Sequence, residues 1–294
     1  NGKCVDQGVF KTLNVAPLSC VKLPLPAVKT DAAGEYFLNV SFHLKQKTLW
    51  AEKGFEIARS QLFLCDVAGQ ASATSKAAAS FKQDDQAVTV RGSDFEVVFA
   101  RSSGTISKLV YNGQIVLADE QGIVRGPHVN TYRAFIDNDN WLRDNYMKSG
   151  LSQMRYHPEP LQVVQQADGC VVVKSVVHAD GFKSAGFVHE TEYRIDGQGQ
   201  ITVQNTLQPY GNLPALPRVG VKMMLDGAYE NIAYYGRGPL ENYVDRQTGS
   251  DIGYYESTVT AQYVDYIRPQ ECGGRSDVRW IAFTDQKGKG VLFK

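Results

Sequence analysis

The sequence predicts an all-β protein whose antiparallel strands form sheets that pack face to face. Two observations carry this prediction: apolar residues in almost every apolar segment alternate with a period of two, and turn residues separate these segments. The chain has 294 residues, 43% of them hydrophobic, which suffices for one large domain or two ordinary ones. Because no helical pattern matches the strand pattern in strength, we expect packed sheets rather than helical layers.

The clearest predicted hairpin lies in the middle of the chain. From Phe187 to Ile195 alternate residues share one face, and the turn sequence DGQGQ then leads into ITVQNTL. A second hairpin is predicted in TISKLVYNGQIVLA, where Asn112 and Gly113 can adopt the positive φ angles of a tight primed turn. Further predicted strands are YFLNVSFHL, QAVTVRG, FEVVFA, LQVVQQ, CVVVKSVVHA, RVGVKMML, NIAYYG and VRWIAFTD.

A change in composition divides the chain into two domains. Residues 67–84 begin with a stretch rich in Ala, Ser and Gly and poor in large apolar side chains, which predicts a linker. Residues 1–66 hold a few alternating strands and predict a small immunoglobulin-like β-sandwich. Residues 85–294 are long enough for a larger antiparallel sandwich of a dozen or more strands. Since the first methionine is Met147 and the chain stops in an apolar run, we expect a piece of a longer protein.

The charge balance and the spacing of ligand-type residues exclude several classes of function. Lys plus Arg equals Asp plus Glu at 31 each, so no overall field attracts nucleic acid or an anionic membrane. The chain has no apolar run of about 18 residues, so no membrane span is predicted. The five cysteines show no CxxC spacing, and the histidines show no HxxxH or HExxH spacing. We therefore predict no metal site, no nucleic-acid partner and no membrane partner.

Three polar stretches are candidates for function: RAFIDNDNWLRDN, YYGRGPLENYVDRQTG and YIRPQECGGRSDVRW. The first is either a polar surface loop, with Asn and Asp satisfying their own backbone, or a loop held against a sugar. In the other two, Arg and carboxylate side chains either pair to pin long loops or contact carbohydrate beside aromatic rings. The residues in question are Arg237, Glu241, Asn242, Tyr243, Asp245, Arg246, Arg275 and Asp277.

These stretches resemble a known family. GRGPLENYVDR followed by PQECGGRSDVRW is similar to the small-chain domain of the large β-galactosidases of glycoside hydrolase family two. RAFIDNDN resembles the family segment R-A-P-x-D-N-D, with Phe135 in place of proline, and LPRVG matches a further short signature. Upstream, LNVAP and TLWAEKGFEIARSQLFL resemble the immunoglobulin-like domain that precedes it, with Phe55 in place of histidine.

The resemblance implies a fold and a place in a larger enzyme. Residues 85–294 would form a galactose mutarotase-like supersandwich, truncated at its C-terminus. The parent would be a retaining β-galactosidase that hydrolyses terminal β-D-galactosides, with its two catalytic glutamates and its magnesium and sodium ions in a barrel that precedes residue 1. This chain would then hold no catalytic residue and no cofactor. The resemblance also implies a loop close to the substrate, formed by Asp137, Asn138, Asp139, Asn140 and Trp141.

The expected partners follow from the same resemblance. They are carbohydrate, bound through the parent, the missing catalytic barrel and, as a further possibility, other copies in a homo-oligomer. The expected compartment is the cytoplasm, with the periplasm as the alternative. Two other functions stay open from the sequence: a non-catalytic carbohydrate-binding or scaffolding module, and a mutarotase-like sugar epimerase, which needs a histidine acid and a glutamate base.

Overall fold

A computed structural model describes residues 2–10, 13, 15–24, 27–69, 77–117, 125–182 and 185–294. In these ranges the chain forms one α-helix, α1 (Asn140–Ser149), and three 3-10 helices, Asp137–Asp139, Leu151–Gln153 and Thr260–Gln262. The strands are β1 (Gly34–His43), β2 (Glu56–Val67), β3 (Ser80–Gln83), β4 (Ala87–Arg91), β5 (Phe95–Ala100), β6 (Thr105–Tyr111), β7 (Gln114–Ile115), β8 (His128–Asn130), β9 (Arg155–Pro158), β10 (Gln162–Gln165), β11 (Val171–Asp180), β12 (Gly186–Ile195), β13 (Ile201–Tyr210), β14 (Gly220–Lys222), β15 (Asn231–Gly238), β16 (Asp251–Thr258), β17 (Trp280–Thr284) and β18 (Gly290–Phe293).

All strand pairs are antiparallel, which confirms the all-β prediction. One sheet has the order β3-β4-β5-β6-β7, a second has the order β10-β11-β12-β13 with β9 also on β11, and a third has the order β16-β15-β17-β18. Two smaller sheets pair β14 with β8 and β1 with β2.

The main core lies between the first two large sheets. In β5 the side chains of Phe95, Val97 and Phe99 are buried, while those between them are half-buried, as the period of two requires. They pack on the inner face of β11 and β12, where the Phe99 and Tyr193 rings meet edge to face with centroids 5.0 Å apart. The two sheets therefore pack face to face, as predicted.

Both predicted hairpins are confirmed. Strands β12 and β13 pair along their whole length, with Ile195 opposite Ile201 at the turn. Strands β6 and β7 are joined at Asn112 and Gly113, whose φ angles are 49° and 76°. Positive φ at both central residues is what a type I′ turn requires, and Asn and Gly reach it at low steric cost.

The immunoglobulin-like sandwich expected for the first part of the chain stays a prediction. Among the described residues up to Gly69, β1 and β2 form one hairpin, and no side chain there is fully buried. A sandwich buries its core between two sheets, and the described residues here show one sheet.

The end of the predicted linker lies elsewhere than expected. Residues 80–83, assigned to the linker from composition, form β3 and pair with β4. Ala79 is buried and its N–H donates to the carbonyl of Gly169 (2.9 Å). Residues 70–76 of the predicted linker lie outside the described residues, and the boundary at residue 66 stays a prediction.

Candidate functional site

The polar stretches that resemble family motifs in the second domain converge on one surface region, here called the motif cluster: residues 132–143, 216–220, 236–246 and 266–279. Arg133 Nε donates to the carbonyl of Pro217 (3.1 Å). Arg268 Nη1 donates to Asp137 Oδ1 (2.9 Å), and the Tyr243 hydroxyl donates to the carbonyl of Glu271 (3.1 Å). Each of the four stretches is thus joined to another by at least one direct hydrogen bond.

A nearly buried ion pair fixes the first stretch. The two guanidinium nitrogens Nη1 and Nη2 of Arg133 contact the two carboxylate oxygens of Asp139 at 2.6 and 3.0 Å. Asp139 also accepts a hydrogen bond from the backbone N–H of Ile136 (2.9 Å). The side chains are 14% and 7% exposed, so the pair is largely shielded from water. Arg133 therefore anchors this stretch.

The predicted loop at residues 137–141 is wrong, because these residues are helical. Asp137–Asp139 form a 3-10 helix, and α1 begins at Asn140 without an intervening loop. Leu142 and Tyr146, one turn apart, are the buried residues of α1, and the helix ends at Gly150 in the left-handed conformation (φ 76°). Burial of this short apolar stripe outweighs the weak helical pattern of a stretch so rich in Asn and Asp.

A polar cleft of about 200 Å³ opens beside this helical segment. One side is formed by the start of α1 and the residues before it, and the other by residues 268–270. The ion pair between Asp137 and Arg268 joins the two sides, and both side chains are about two-thirds exposed. Side chains that line the cleft include Tyr132, Phe135, Asp137, Asn140, Arg143 and Gln270.

The five residues predicted to lie near substrate are thus separated by the structure. Asp137 and Asn140 line the cleft, whereas Asp139 is buried in its pair with Arg133. Asn138 and Trp141 do not line the cleft, and Trp141 is 74% exposed. The sequence analysis missed Arg143 as a cleft residue, although its place in RAFIDNDNWLRDN was the available signal.

Glu241 joins the two long loops of the cluster. Its Oε1 accepts hydrogen bonds from Arg246 Nη2 (2.7 Å) and from the Tyr266 hydroxyl, and its Oε2 accepts from the backbone N–H of Gly273 (2.9 Å). The carboxylate side chain is 10% exposed. Burial, followed by the nearby carboxylates of Glu241 and Glu271, raises the pKa of Tyr243, which keeps its hydroxyl protonated as a donor.

Asn242 makes a second junction between the same loops. It is 1% exposed, and its Nδ2 donates to the carbonyls of Arg237 (3.2 Å) and Leu240 (3.0 Å). Its Oδ1 accepts from the backbone N–H of Ser276 (2.7 Å), and its own N–H donates to the carbonyl of Gly274 (2.9 Å). A buried amide with all these partners serves loop geometry rather than ligand contact.

The arginines of the two loops have partners that favour the structural interpretation. Arg237 Nε contacts Asp277 Oδ2 at 2.6 Å. Arg275 donates to the Tyr234 hydroxyl (2.9 Å) and to the carbonyl of Pro239 (3.0 Å). Asp245 differs from this set: it is exposed and makes no hydrogen bond or ion pair with the residues that the structure describes.

His128 and His189 do not meet a glutamate at the cavity that they line. His128 and His189 face a small cavity between the sheets, with room for about one water molecule, and none of its lining residues carries a carboxylate. Burial lowers the pKa of both imidazoles, and His189 Nε2 is hydrogen-bonded to Asn205 Oδ1 (2.9 Å). A histidine acid and a glutamate base therefore do not meet at this cavity.

The described ranges hold neither a cluster of metal-ligating side chains nor a helix suited to a membrane. No group of three or more His, Cys, Asp or Glu side chains there is arranged to hold a metal ion. Within the same ranges, no helix has the length and apolar character needed to span a membrane.

Comparisons with known proteins match both parts of the chain. The family model for the beta galactosidase small chain matches residues 91–294, and the model for beta-galactosidase domain 4 matches residues 1–64. The β-galactosidase of Priestia megaterium is 31% identical over 100% of this chain and 28% of its own length. The β-galactosidase of Halalkalibacterium halodurans is 30% identical over 94% of this chain and 27% of its own length. The β-galactosidase of Streptococcus thermophilus is 26% identical over 100% of this chain and 28% of its own length.

The chain thus spans about 28% of the length of the curated relatives that it matches. The small-chain model covers more than two-thirds of the chain, including all four stretches of the motif cluster. The chain belongs to the β-galactosidase small-chain family.

Proposed function

We propose that the chain is the C-terminal part of a retaining β-galactosidase that hydrolyses terminal β-D-galactosides, and that the motif cluster forms one wall of its active-site mouth. The observation that carries this proposal is the convergence of four stretches, far apart in the sequence, on one cluster beside an open polar cleft. The relatives that match the whole chain are named β-galactosidase, which supports the activity of the parent.

The catalytic pair would be supplied by the parent rather than by this chain. A retaining glycosidase needs an acid/base and a nucleophilic carboxylate about 5 Å apart across the scissile bond. In the motif cluster, the carboxylates of Asp137, Asp139 and Glu241 are each held by an arginine. These carboxylates would hold the active-site wall in shape, and a barrel with two glutamates, magnesium and sodium would perform the chemistry.

The contribution of this chain is to hold the cleft side chains in position. Internal ion pairs hold the wall, so cleft side chains such as Asn140 meet a bound sugar without having to be ordered first. Such contacts raise kcat/KM where they strengthen in the transition state. The proposed partners are the barrel, the galactoside and other copies of the parent, and the five free thiols support a reducing cytoplasm over the periplasm.

A second candidate function is a carbohydrate-binding module without catalysis. One observation favours it: aromatic rings and planar polar side chains line the same cleft, a combination suited to sugar hydroxyls and ring faces. The two candidates differ in whether the parent hydrolyses galactosides.

The test is kinetics on the purified parent with a chromogenic β-galactoside. We expect hydrolysis by the parent and none by the 294-residue chain. Asn140→Ala, Arg268→Ala and Trp141→Ala should each lower kcat/KM by about tenfold with little change in melting temperature. Arg155→Ala, an exposed arginine outside the cluster, is the matched control.

The outcomes separate the two parts of the proposal. A parent without hydrolysis contradicts the activity and leaves the binding module. If the parent hydrolyses galactosides but all three cluster variants behave like Arg155→Ala, the proposal that the motif cluster forms an active-site wall is contradicted. Turnover by the 294-residue chain would show that the catalytic carboxylates lie within it.

A further inference from the structure

We propose that Glu35, in the first domain, is a positioning residue for the motif cluster, which it holds in shape through Arg279. The role of the cluster as an active-site wall rests on the proposed function, whereas the coupling between the two domains rests on the contacts described below. All four stretches of the cluster belong to the second domain, so this assigns the first domain a part in shaping the wall.

A two-point ion pair joins the two domains at this position. Arg279 Nε donates to Glu35 Oε2 (2.9 Å), and Arg279 Nη2 donates to Glu35 Oε1 (2.8 Å). The side chains of Glu35 and Arg279 are 22% and 36% exposed, so the pair is partly shielded from water. Two parallel hydrogen bonds fix the orientation of a guanidinium group as well as its distance. Glu35 therefore orients the Arg279 side chain.

The ion pair continues into a row of alternating charges. Arg279 Nη1 donates to the backbone carbonyl of Asp277, and the Asp277 carboxylate contacts Arg237 Nε at 2.6 Å. Each of these residues thus holds the next one along the row. Because Arg237 lies near the start of the loop 236–246, the row links Glu35 to both long loops of the cluster.

The backbone that this row holds is irregular. The N–H of Arg279 donates to the carbonyl of Tyr235 (2.8 Å), and the N–H of Arg237 donates to the carbonyl of Ser276 (3.2 Å). Two residues lie between these contacts on one side and one residue on the other, as in a β-bulge. Asp277 has a φ of 52°, in the left-handed region. Since the regular ladder is interrupted here, the conformation depends on side-chain contacts, and those of Asp277 and Arg279 belong to the charged row.

A purely structural role for Glu35 can be tested separately, because the β1–β2 hairpin has a second attachment. Gln61 holds the hairpin at the edge of β16, where its side-chain amide bonds to Ile252. That attachment lies outside the motif cluster, whereas Arg279 lies within it. Removing the two attachments one at a time therefore distinguishes positioning of the cluster from docking of the hairpin.

The experiment is residue-resolved hydrogen exchange on the purified parent. Glu35→Gln removes the charge and keeps the size of the side chain. We expect the Arg237 and Ser276 amides, which bond within the two loops, to exchange about threefold to fivefold faster on loss of this partly exposed pair. The Ile252 amide should keep its rate. Gln61→Glu, the matched control, should accelerate exchange at Ile252 and leave the other two amides unchanged.

A double-mutant cycle tests whether Glu35 acts through Arg279. Glu35→Gln combined with Arg279→Gln should accelerate exchange at Ser276 no more than Arg279→Gln alone, because the same pair is lost in both proteins. At a temperature well below the melting transition, kcat/KM for a chromogenic β-galactoside should fall about threefold with Glu35→Gln. The double variant should again match Arg279→Gln.

Four results would overturn the inference. They are unchanged exchange at Arg237 and Ser276 in Glu35→Gln, equal acceleration of all three amides in Glu35→Gln and Gln61→Glu, additive effects of Glu35→Gln and Arg279→Gln, and unchanged kcat/KM beside accelerated exchange. Failure of the proposed function gives a different pattern. A parent that hydrolyses no galactoside contradicts the proposed activity, while the exchange rates still decide whether Glu35 shapes the cluster.

Discussion

The side-chain amide of Gln61 pairs with both backbone groups of Ile252. Gln61 Nε2 donates to the carbonyl of Ile252 (2.8 Å), and the N–H of Ile252 donates to Gln61 Oε1 (2.8 Å). The amide thus takes the place of a neighbouring strand at the free edge of β16. Gln61 is the last residue of the family-like stretch WAEKGFEIARSQ, so this pairing gives that glutamine a physical role in joining the β1–β2 hairpin to the second domain.

Replacing this glutamine should loosen the hairpin. Gln61→Glu removes the donor and adds a charge beside a carbonyl, and we expect a loss of about 1–3 kcal/mol in the free energy of unfolding. Urea denaturation measures the loss, and hydrogen exchange at the Ile252 amide should accelerate. Gln208→Ala, which removes an exposed side-chain contact to Glu190, is the control and should change stability by less than about 0.5 kcal/mol. A Gln61→Glu variant as stable as the control would contradict the docking role.

Two aspartates of one 3-10 helix should differ sharply in their effect on stability. Asp139→Asn breaks a pair whose side chains are 14% and 7% exposed, and leaving Arg133 unpaired should cost about 3–5 kcal/mol. Asp137→Asn breaks a pair that is about two-thirds exposed, which should cost at most about 1 kcal/mol. Denaturant midpoints of the two variants test the contrast. Equal midpoints would show that burial does not determine how much these ion pairs contribute to stability.

Arg275 and Asp245, which were predicted together as structural residues, should also differ in their effect on stability. Arg275→Ala removes hydrogen bonds to the Tyr234 hydroxyl and the Pro239 carbonyl, and we expect the melting temperature to fall by several degrees. Asp245→Ala should leave it unchanged, because the exposed carboxylate has no partner among the described residues. Thermal unfolding followed by circular dichroism gives both values. A fall with Asp245→Ala matching that of Arg275→Ala would refute this assignment.

Acid should destabilise the chain through the buried imidazole of His189. Burial lowers the pKa of His189 below its ordinary value of 6.5, so the folded state binds fewer protons than the unfolded state near that pH. Its contribution is fully present above pH 6.5 and is lost as the pH falls through the lower folded-state pKa. His189→Gln should flatten this decline in urea unfolding measured over a pH series. A decline of the same slope in the variant would assign the effect to other groups, such as carboxylates titrating near pH 4.

The strands could be predicted from the sequence because their pattern is local. Alternation in β5 and the Asn112-Gly113 turn each depend on a few adjacent residues. The small residues before β3 gave a wrong prediction. They predicted a flexible linker, yet a Cβ on Gly197 would lie 2.1 Å from the carbonyl oxygen of Ala77, and one on Gly169 would lie 3.1 Å from Ala78. Glycine is therefore needed at positions 197 and 169, because the backbone of residues 77–78 approaches closely there and is held against the second sheet.

The site was less accessible to prediction than the fold. The residue types in the polar stretches pointed to ion pairs, but the partners could not be read from spacing. Asp137 pairs with Arg268, far away in the sequence, because the fold brings the two segments together. The helical state of residues 140–149 depends on the burial of Leu142 and Tyr146, which is a tertiary effect, and Gly150 as the C-terminal cap was its single strong local signal.

The ion pair between Arg133 and Asp139 also has a consequence for assembly. Because this pair and the junction at Glu241 fix the surface from within, the motif cluster already has its shape before a partner arrives. Surfaces that must be ordered on contact lose about 0.5–1.5 kcal/mol for each immobilised side chain. A surface that is rigid beforehand avoids much of this loss, so its affinity for a partner domain can come from a modest area of contact, and its rate of association is not limited by a folding step.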